Sequence, residues 1–377
     1  MSNDAALFYN PRTVRRCRCF TGLTMRNRTV ILLAAVAISL GAFTGAAAFP
    51  GSPADLDTPS PAGSPASLSP IELRAANAAA ASGQAVKVIP LETNLGEYQF
   101  IDYWRLIDGP VPVYDAPNGN PIGAIEPGFN FVSVMAWEGN EWAMINWNQW
   151  VPAQHLKHSE ASPFAGMLIP EQPDRPFGWM LLDTRPSVSP AGPQDTNAPY
   201  LLRYTPITVY ATVQVDGWNW YLIGQDQWIE QKRVALVHPV ARPEGVKGRW
   251  VAVDLYEQVA VAYEGDAMVF VTLVSSGLPD WPTREGLFQV WSRVERGKMS
   301  GAEGRPDYYY LQDVPWTMYF DEDRSLHGTY WHDGFGYRHS HGCVNLSITD
   351  AAWLYQWTED QEVTWVYVYS SGQYIAQ

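Results

Sequence analysis

The chain has 377 residues, including 17 Trp, 20 Tyr and 29 Pro, and carries a formal charge of −14 with a pI near 4.9. That length admits two or three domains with at least one well-buried core, and the aromatic, Pro-rich composition favours strands and turns over helical bundles. The acidic balance excludes a nucleic-acid surface, which needs clustered Lys and Arg.

Residues 1–28 form a basic cytoplasmic segment carrying Arg12, Arg15, Arg16, Arg18, Arg26 and Arg28. The uncharged run TVILLAAVAISLGAFTGAAAF, residues 29–49, follows. Basic flanks stay in the cytoplasm, so this run is predicted to be a signal or transmembrane segment that puts the rest of the chain in the extracytoplasmic envelope. It reaches the roughly 20 apolar residues that span a bilayer, yet ends in Ala46, Ala47 and Ala48, which suits a signal peptidase. Cleavage and retention both fit, and the length favours a membrane anchor over a secreted form. A buried core helix is the bland alternative, opposed by the one-sided basic flank. Residues 50–90 are rich in Pro, Ser and Ala and nearly free of aromatics, the composition of a linker.

An internal repeat comes next. EGNEWAMINWNQWV, from Glu138 to Val151, aligns without a gap to DGWNWYLIGQDQWI, from Asp216 to Ile229. WRLID at Trp104 and WMLLD at Trp179 open the two copies, so β modules are predicted over 91–165 and 166–243. Their Trp-containing hairpins, each ending in a short QW strand, resemble the SH3-like barrels that accompany bacterial wall enzymes. Exposed aromatics there would bind peptide or glycan, though core packing explains most of these Trp equally well.

The third region, 244–371, reads as strands: RWVAVDLYEQVAVAY, AMVFVTLVSSG, GLFQVW, VPWTMYF and VTWVYVY, with turns at Tyr256 to Gln258 and Glu264 to Asp266. One helix is predicted in SITDAAWLYQWTE, with Ser347 and Asp350 at capping spacing and Ala351, Leu354 and Tyr355 at helical intervals. The expected fold is mainly β, with one helix beside the active-site loop.

Four of the seven histidines and one of three cysteines fall in HGTYWHDGFGYRHSHGCVN, from His327 to Asn345. Cys17 and Cys19 lie in the basic segment and have no assigned role. Cys343 stands alone in the exported part, where an idle thiol is a liability. A thiol with an ordinary pKa of about 8.5 needs a base to be a nucleophile near neutrality. His327, after a Tyr/Phe strand and before a Gly-rich loop, is placed to supply one once the chain reverses through Asp333 to Gly336. The N–H groups of Gly342 and Cys343 are candidate oxyanion donors. Asn345 and Ser340 are candidates to order the loop from either side, and the carbonyl of Gly328 to orient His327. Tyr330 and Trp331 are candidates to face a substrate, and Arg338 to meet a substrate carboxylate. Zinc is the rival reading, since His327, His339, His341 and Cys343 offer N and S ligands. The two-residue spacing of the last three crowds one face of an extended segment, with no carboxylate base nearby, so no metal and no cofactor are expected. His332 and His339 read as loop or rim residues.

Ser340, His341, Gly342, Cys343, Val344 and Asn345, with His327 and Gly328 upstream, resemble the signature of the L,D-transpeptidases of the YkuD family. The likeness extends over roughly 247–369. It implies a β-rich catalytic domain, Cys343 as nucleophile, His327 as general base, supporting roles for His341 and Ser340, and peptidoglycan stem peptides as acyl donor and acceptor. Two departures stand out. Twelve residues separate His327 from Ser340, and Pro282, Thr283, Arg284, Glu285 and Gly286 replace the usual Thr-Pro-x-Gly. An L,D-carboxypeptidase of the same fold, with water as acceptor, and a non-catalytic wall-binding protein are the alternatives. Oligomeric state is not legible.

Overall fold

A computed structural model describes residues 68–372 except 108. The basic segment, the apolar run of 29–49 and the linker up to residue 67 lie outside the described residues. Among those described, no helix is long and apolar enough to cross a membrane.

The described part of the linker contains a helix, α1 (Pro70–Ala81). The linker reading did not foresee it, although its start carries a capping box: Ser69 accepts from the Glu72 N–H, the Glu72 carboxylate accepts from the Ser69 N–H, and Pro70 occupies the first turn. No residue of α1 is buried; Asn77 ties it to the second repeat copy by accepting from the Asp226 N–H at 2.8 Å. A short strand, β1 (Ile89–Pro90), follows.

The first copy contributes β2 (Asp102–Leu106), β3 (Val111–Tyr114), β4 (Pro121–Ile125), β5 (Phe129–Val134), β6 (Ala136–Glu138), β7 (Trp142–Asn146), β8 (Gln149–Pro152) and β9 (Leu156–His158). The second contributes β10 (Met167–Leu168), β11 (Phe177–Met180), β12 (Pro206–Thr208), β13 (Ala211–Val215), β14 (Trp218–Gly224), β15 (Gln227–Glu230) and β16 (Val234–Val237). The sequence repeat is a structural repeat. β6–β7–β8 and β13–β14–β15 are equivalent meanders, with register irregularities at the aligned steps Met144/Asn146 and Leu222/Gly224. Asn148 and Asp226, at aligned positions, both adopt positive φ, as do Gly139 and Gly217. Among the described residues the two copies form no closed barrel: they contribute the sheets β4-β3-β8-β7-β6, β13-β14-β15 and β12-β11-β16, and their remaining strands join sheets of the third region.

The third region builds β17 (Arg249–Asp254), β18 (Val259–Glu264), β19 (Ala267–Leu273), β20 (Gly286–Gln289), β21 (Ser292–Gly301), β22 (Tyr309–Asp321), β23 (Arg324–Thr329), β24 (Val344–Ser347), α2 (Ile348–Trp357) and β25 (Trp365–Tyr369). β17 explains the layering. Its alternate residues Trp250 and Ala252 enter one apolar cluster and Val251 and Val253 another, so the strand is covered on both faces and reads as a continuous apolar run. α2 starts as predicted at Ser347, whose hydroxyl accepts from the Asp350 N–H at 3.1 Å. The Asp350 carboxylate does not close a capping box; it accepts from the Gly166 N–H and the Thr272 hydroxyl.

The repeat copies are built into the third region instead of hanging from it. β1 and β10 extend the sheet of β17, β18, β19, β25 and β20. β5 pairs in parallel with β22, Phe129 opposite Tyr309 and Phe131 opposite Leu311, so β2, β5 and β9 continue the sheet of β24, β23 and β22. The apolar clusters cross the same lines. Tyr103 and Phe131 pack with Val314 and Tyr330, and Phe177 and Trp179 pack with Trp250 and Phe335.

Candidate active site

β23 and β24 run parallel, with Leu326 opposite Val344 and His327 opposite Asn345. Strand alternation then sorts the side chains. Leu326, Val344 and Leu346 are fully buried in the core under α2, which turns Ser325, His327, Cys343 and Asn345 to the other side. One step along, Ser325 Oγ lies 3.7 Å from Cys343 Sγ, so His327 and Cys343 are diagonal neighbours on adjoining strands. Both line a cavity of about 350 Å³, walled by Trp331, Tyr309, Leu278 and Phe129. Cys343 is partly exposed there.

His327 is 2% exposed. Its Nδ1 donates to the Gly328 carbonyl at 3.0 Å, which fixes the proton on Nδ1 and leaves Nε2 with a free lone pair. Burial pulls its pKa down to about 4 against the opposing pull of that hydrogen bond, so the imidazole is neutral near pH 7. Burial also raises the Cys343 thiol above its ordinary value, partly offset by the Ser325 N–H and hydroxyl. The arrangement therefore holds a neutral thiol and a neutral imidazole in the same cavity.

The turn before Cys343 is tightly held. Ser340 Oγ donates to the Cys343 carbonyl at 2.5 Å and accepts from the Gly342 N–H at 3.1 Å. Thr283 Oγ1 donates to the Gly342 carbonyl at 2.9 Å and accepts from the Gly277 N–H. Gly342 has φ +112°, a backbone conformation that favours glycine, and a Cβ there would press on the Arg324 side chain, 2.9 Å away. Thr283, within the sequence departure at Pro282–Gly286, thus braces the turn before Cys343. Among the described residues no group of three or more His, Cys, Asp or Glu is placed to hold a metal ion.

The profile of the YkuD family, the L,D-transpeptidase catalytic domain, matches residues 248–368. Those residues are an L,D-transpeptidase catalytic domain. A Bacillus subtilis (strain 168) protein provisionally named L,D-transpeptidase YciB is 30% identical over 122 residues, which is 28% of this chain. The match spans 59% of that relative's length. Among solved structures, the catalytic domain of the E. faecium L,D-transpeptidase is 26% identical, with a TM-score of 0.30, covering 33% of this chain and 99% of that one. An L,D-transpeptidase from Mycobacterium smegmatis is 17% identical, with a TM-score of 0.31, covering 56% of this chain and 93% of that one.

Within the transpeptidase domain three sequence expectations need correction. Tyr330 does not face the cavity: it is fully buried, stacked on Tyr103 at 3.6 Å between centroids, with its hydroxyl donating to the Gln312 carbonyl. Arg338 donates to the carbonyls of Gly277 and Leu255, so its guanidinium braces the loop floor and does not wait for a carboxylate. The Gly342 N–H already bonds Ser340 and is not a free oxyanion donor. Trp331 does line the cavity, its ring 5.6 Å from that of His327. His341 lies against Tyr309, centroids 5.4 Å apart. Asn345 bonds the side chain of His332. Sequence reasoning missed Ser325 and Phe129. The two-residue alternation upstream of His327 was enough to find Ser325, whereas nothing local marks Phe129, which arrives from the first repeat copy.

Proposed function

We propose that this chain is an exported peptidoglycan L,D-transpeptidase acting through a Cys343 thioester. The single observation that carries this reading is the Nδ1–H of His327 held by the Gly328 carbonyl, on a strand where Ser325 touches the Cys343 sulfur. It leaves Nε2 as the proton acceptor on the same strand face as the nucleophile. Cys343 Sγ attacks the carbonyl carbon of the bond between an L-centre and D-alanine in a stem peptide, and His327 takes the thiol proton. Collapse of the tetrahedral adduct breaks the C–N bond, and His327 returns the proton to the leaving amine of D-alanine. An amine of a second stem peptide then attacks the thioester and frees the thiol. The family match and the mostly apolar residues around the cavity support a peptide acyl donor.

We assign the two repeat copies the positioning role that SH3-like modules hold beside wall enzymes, a reading supported by Trp147, 77% exposed on the first copy. The decisive measurement is the intact mass of the protein after incubation with a tetrapeptide donor. An adduct of the donor minus D-alanine is expected, absent in Cys343→Ala. No adduct, or one that persists in that variant, overturns the reading. A thioester released only by water, never by an amine, would make the protein a carboxypeptidase.

A further inference from the structure

The two histidines set aside as loop residues frame an unanswered question at Asn345. This side chain is 2% exposed, lines the cavity, and belongs to the strand face that carries Cys343 two residues earlier. One terminal atom of its carboxamide lies 2.8 Å from His332 Nε2. The other is buried and has no partner.

Proton placement on His332 decides which atom is which. His332 Nδ1 lies 2.9 Å from the Gly334 N–H and must accept from it, so Nδ1 carries no proton. A neutral imidazole then carries its proton on Nε2. The ring is packed against His339, 4.1 Å between centroids, and Phe335, 5.3 Å, surroundings that oppose a second proton; burial, then the neighbouring histidines, hold its pKa down to about 2. With Nε2–H as donor, Nδ2 of Asn345 nearest to it would set donor against donor. A half-turn of the carboxamide removes the conflict: Oδ1 then accepts from His332, and the NH2 group occupies the partnerless position.

We propose that His332 is a positioning residue that fixes the Asn345 carboxamide with its NH2 group as a hydrogen-bond donor to a carbonyl oxygen of the bound acyl donor. One of the two backbone donors expected beside the thiol, the Gly342 N–H, is already taken by Ser340, so a second donor would have to come from a side chain. A buried amide with one end satisfied and the other open is costly unless something fills the second valence. A substrate carbonyl beside the nucleophile does so. The donor is then rigid before substrate arrives, which is where electrostatic assistance is most effective.

This inference rests on the acyl-transfer reading for its kinetic half only. Long-range 1H–15N correlation on histidine-labelled protein reads the tautomers directly: His332 is expected as Nε2–H and His327 as Nδ1–H, and an Nδ1–H tautomer at His332 overturns the proposal whatever the substrate is. For kinetics, Cys343 acylation by the tetrapeptide is compared with Cys343 alkylation by iodoacetamide, which needs no carbonyl contact. Asn345→Asp removes the donor but keeps an acceptor for His332; acylation is expected to fall on the order of 100-fold, the scale of one lost oxyanion-type donor, with alkylation little changed. His332→Leu is expected to lose at least about 10-fold in acylation, and His332→Gln, which can still donate, to recover most of it. Acylation at the native rate in Asn345→Asp or His332→Leu overturns the proposal. So does a His332→Gln variant that matches the native melting temperature but acylates no faster than His332→Leu. If the native protein itself forms no acyl adduct, the function reading fails, while the tautomer measurement still decides the placement of the amide.

Discussion

At the scale of single residues, Cys343 and His327 sit in an arrangement with a definite pH signature. Burial pushes the thiol up and the imidazole down, so the native state contains no thiolate–imidazolium pair near neutrality. Alkylation of Cys343 by iodoacetamide is therefore expected to climb through the alkaline range with no plateau between pH 5 and 7; a plateau there would reveal a preformed ion pair. Acylation by a peptide, which borrows His327 as base, should lose its acid limb only near the imidazole pKa of about 4. That Cys343 and His327 would share one cavity was legible, because so few residue types do thiol chemistry and a glycine beside the thiol marks a crowded turn. Arg338 and Tyr330 were misread for one shared reason. Both lie beside functional residues in sequence, but a loop that must be held still also needs braces, and a guanidinium or phenol serves either purpose. Only the atoms they bond separate the two roles.

At the scale of elements, the β21–β22 hairpin is the least legible and among the most consequential. Ser292–Gly301 is a polar, half-exposed strand whose inward positions are mostly not apolar, Gly297 and Gly301 among them, so no pattern announced it, whereas the buried positions of β17, β18 and α2 made those visible. The hairpin is clamped by β5 of the first repeat copy through pairing at Phe129–Phe131, which makes it a fixed wall of the cavity. Gly128 sets the spacing of that clamp. A Cβ at Gly128 would lie 2.4 Å from the Tyr308 carbonyl oxygen, closer than any real contact allows. Gly128→Val should displace the 308–309 segment, cost about 1–3 kcal/mol of stability by overpacking, and raise the KM for a peptide donor on the order of 10-fold. Iodoacetamide, which does not use that wall, should react as before. Equal losses with both reagents would mean that the clamp supports the fold and not the substrate.

At the scale of the whole molecule, protonation links the site to stability. His327 and His332 have folded pKa values of about 4 and about 2, below the unfolded histidine value of about 6.5. The unfolded chain therefore takes up protons as pH falls from 6.5 to 4 that the native state refuses at these two positions, and their contribution to stability is lost on acidification. Asp350 acts in the opposite sense. Burial raises its folded pKa to about 6, so the native state gains one proton between about 6 and the ordinary value of 3.8. Burial lowers His339 in the same sense as His327 and His332, while the Glu257 carboxylate raises His238 in the opposite one, so the balance lies with proton uptake by the unfolded chain. The melting temperature should fall steadily from pH 6.5 to 4, and a flat profile would contradict the neutral burial of these histidines.

The apolar clusters that join each repeat copy to the catalytic strands set how the chain comes apart. An excision at residue 244, where sequence would cut, strips Tyr103 and Phe131 from Tyr330, and Trp179 from Phe335. It also uncovers the flanks of β19 and β22 that β10 and β5 now occupy, and bare strand flanks invite self-association. What looks like a string of separable beads shares its apolar clusters and its sheets across every seam.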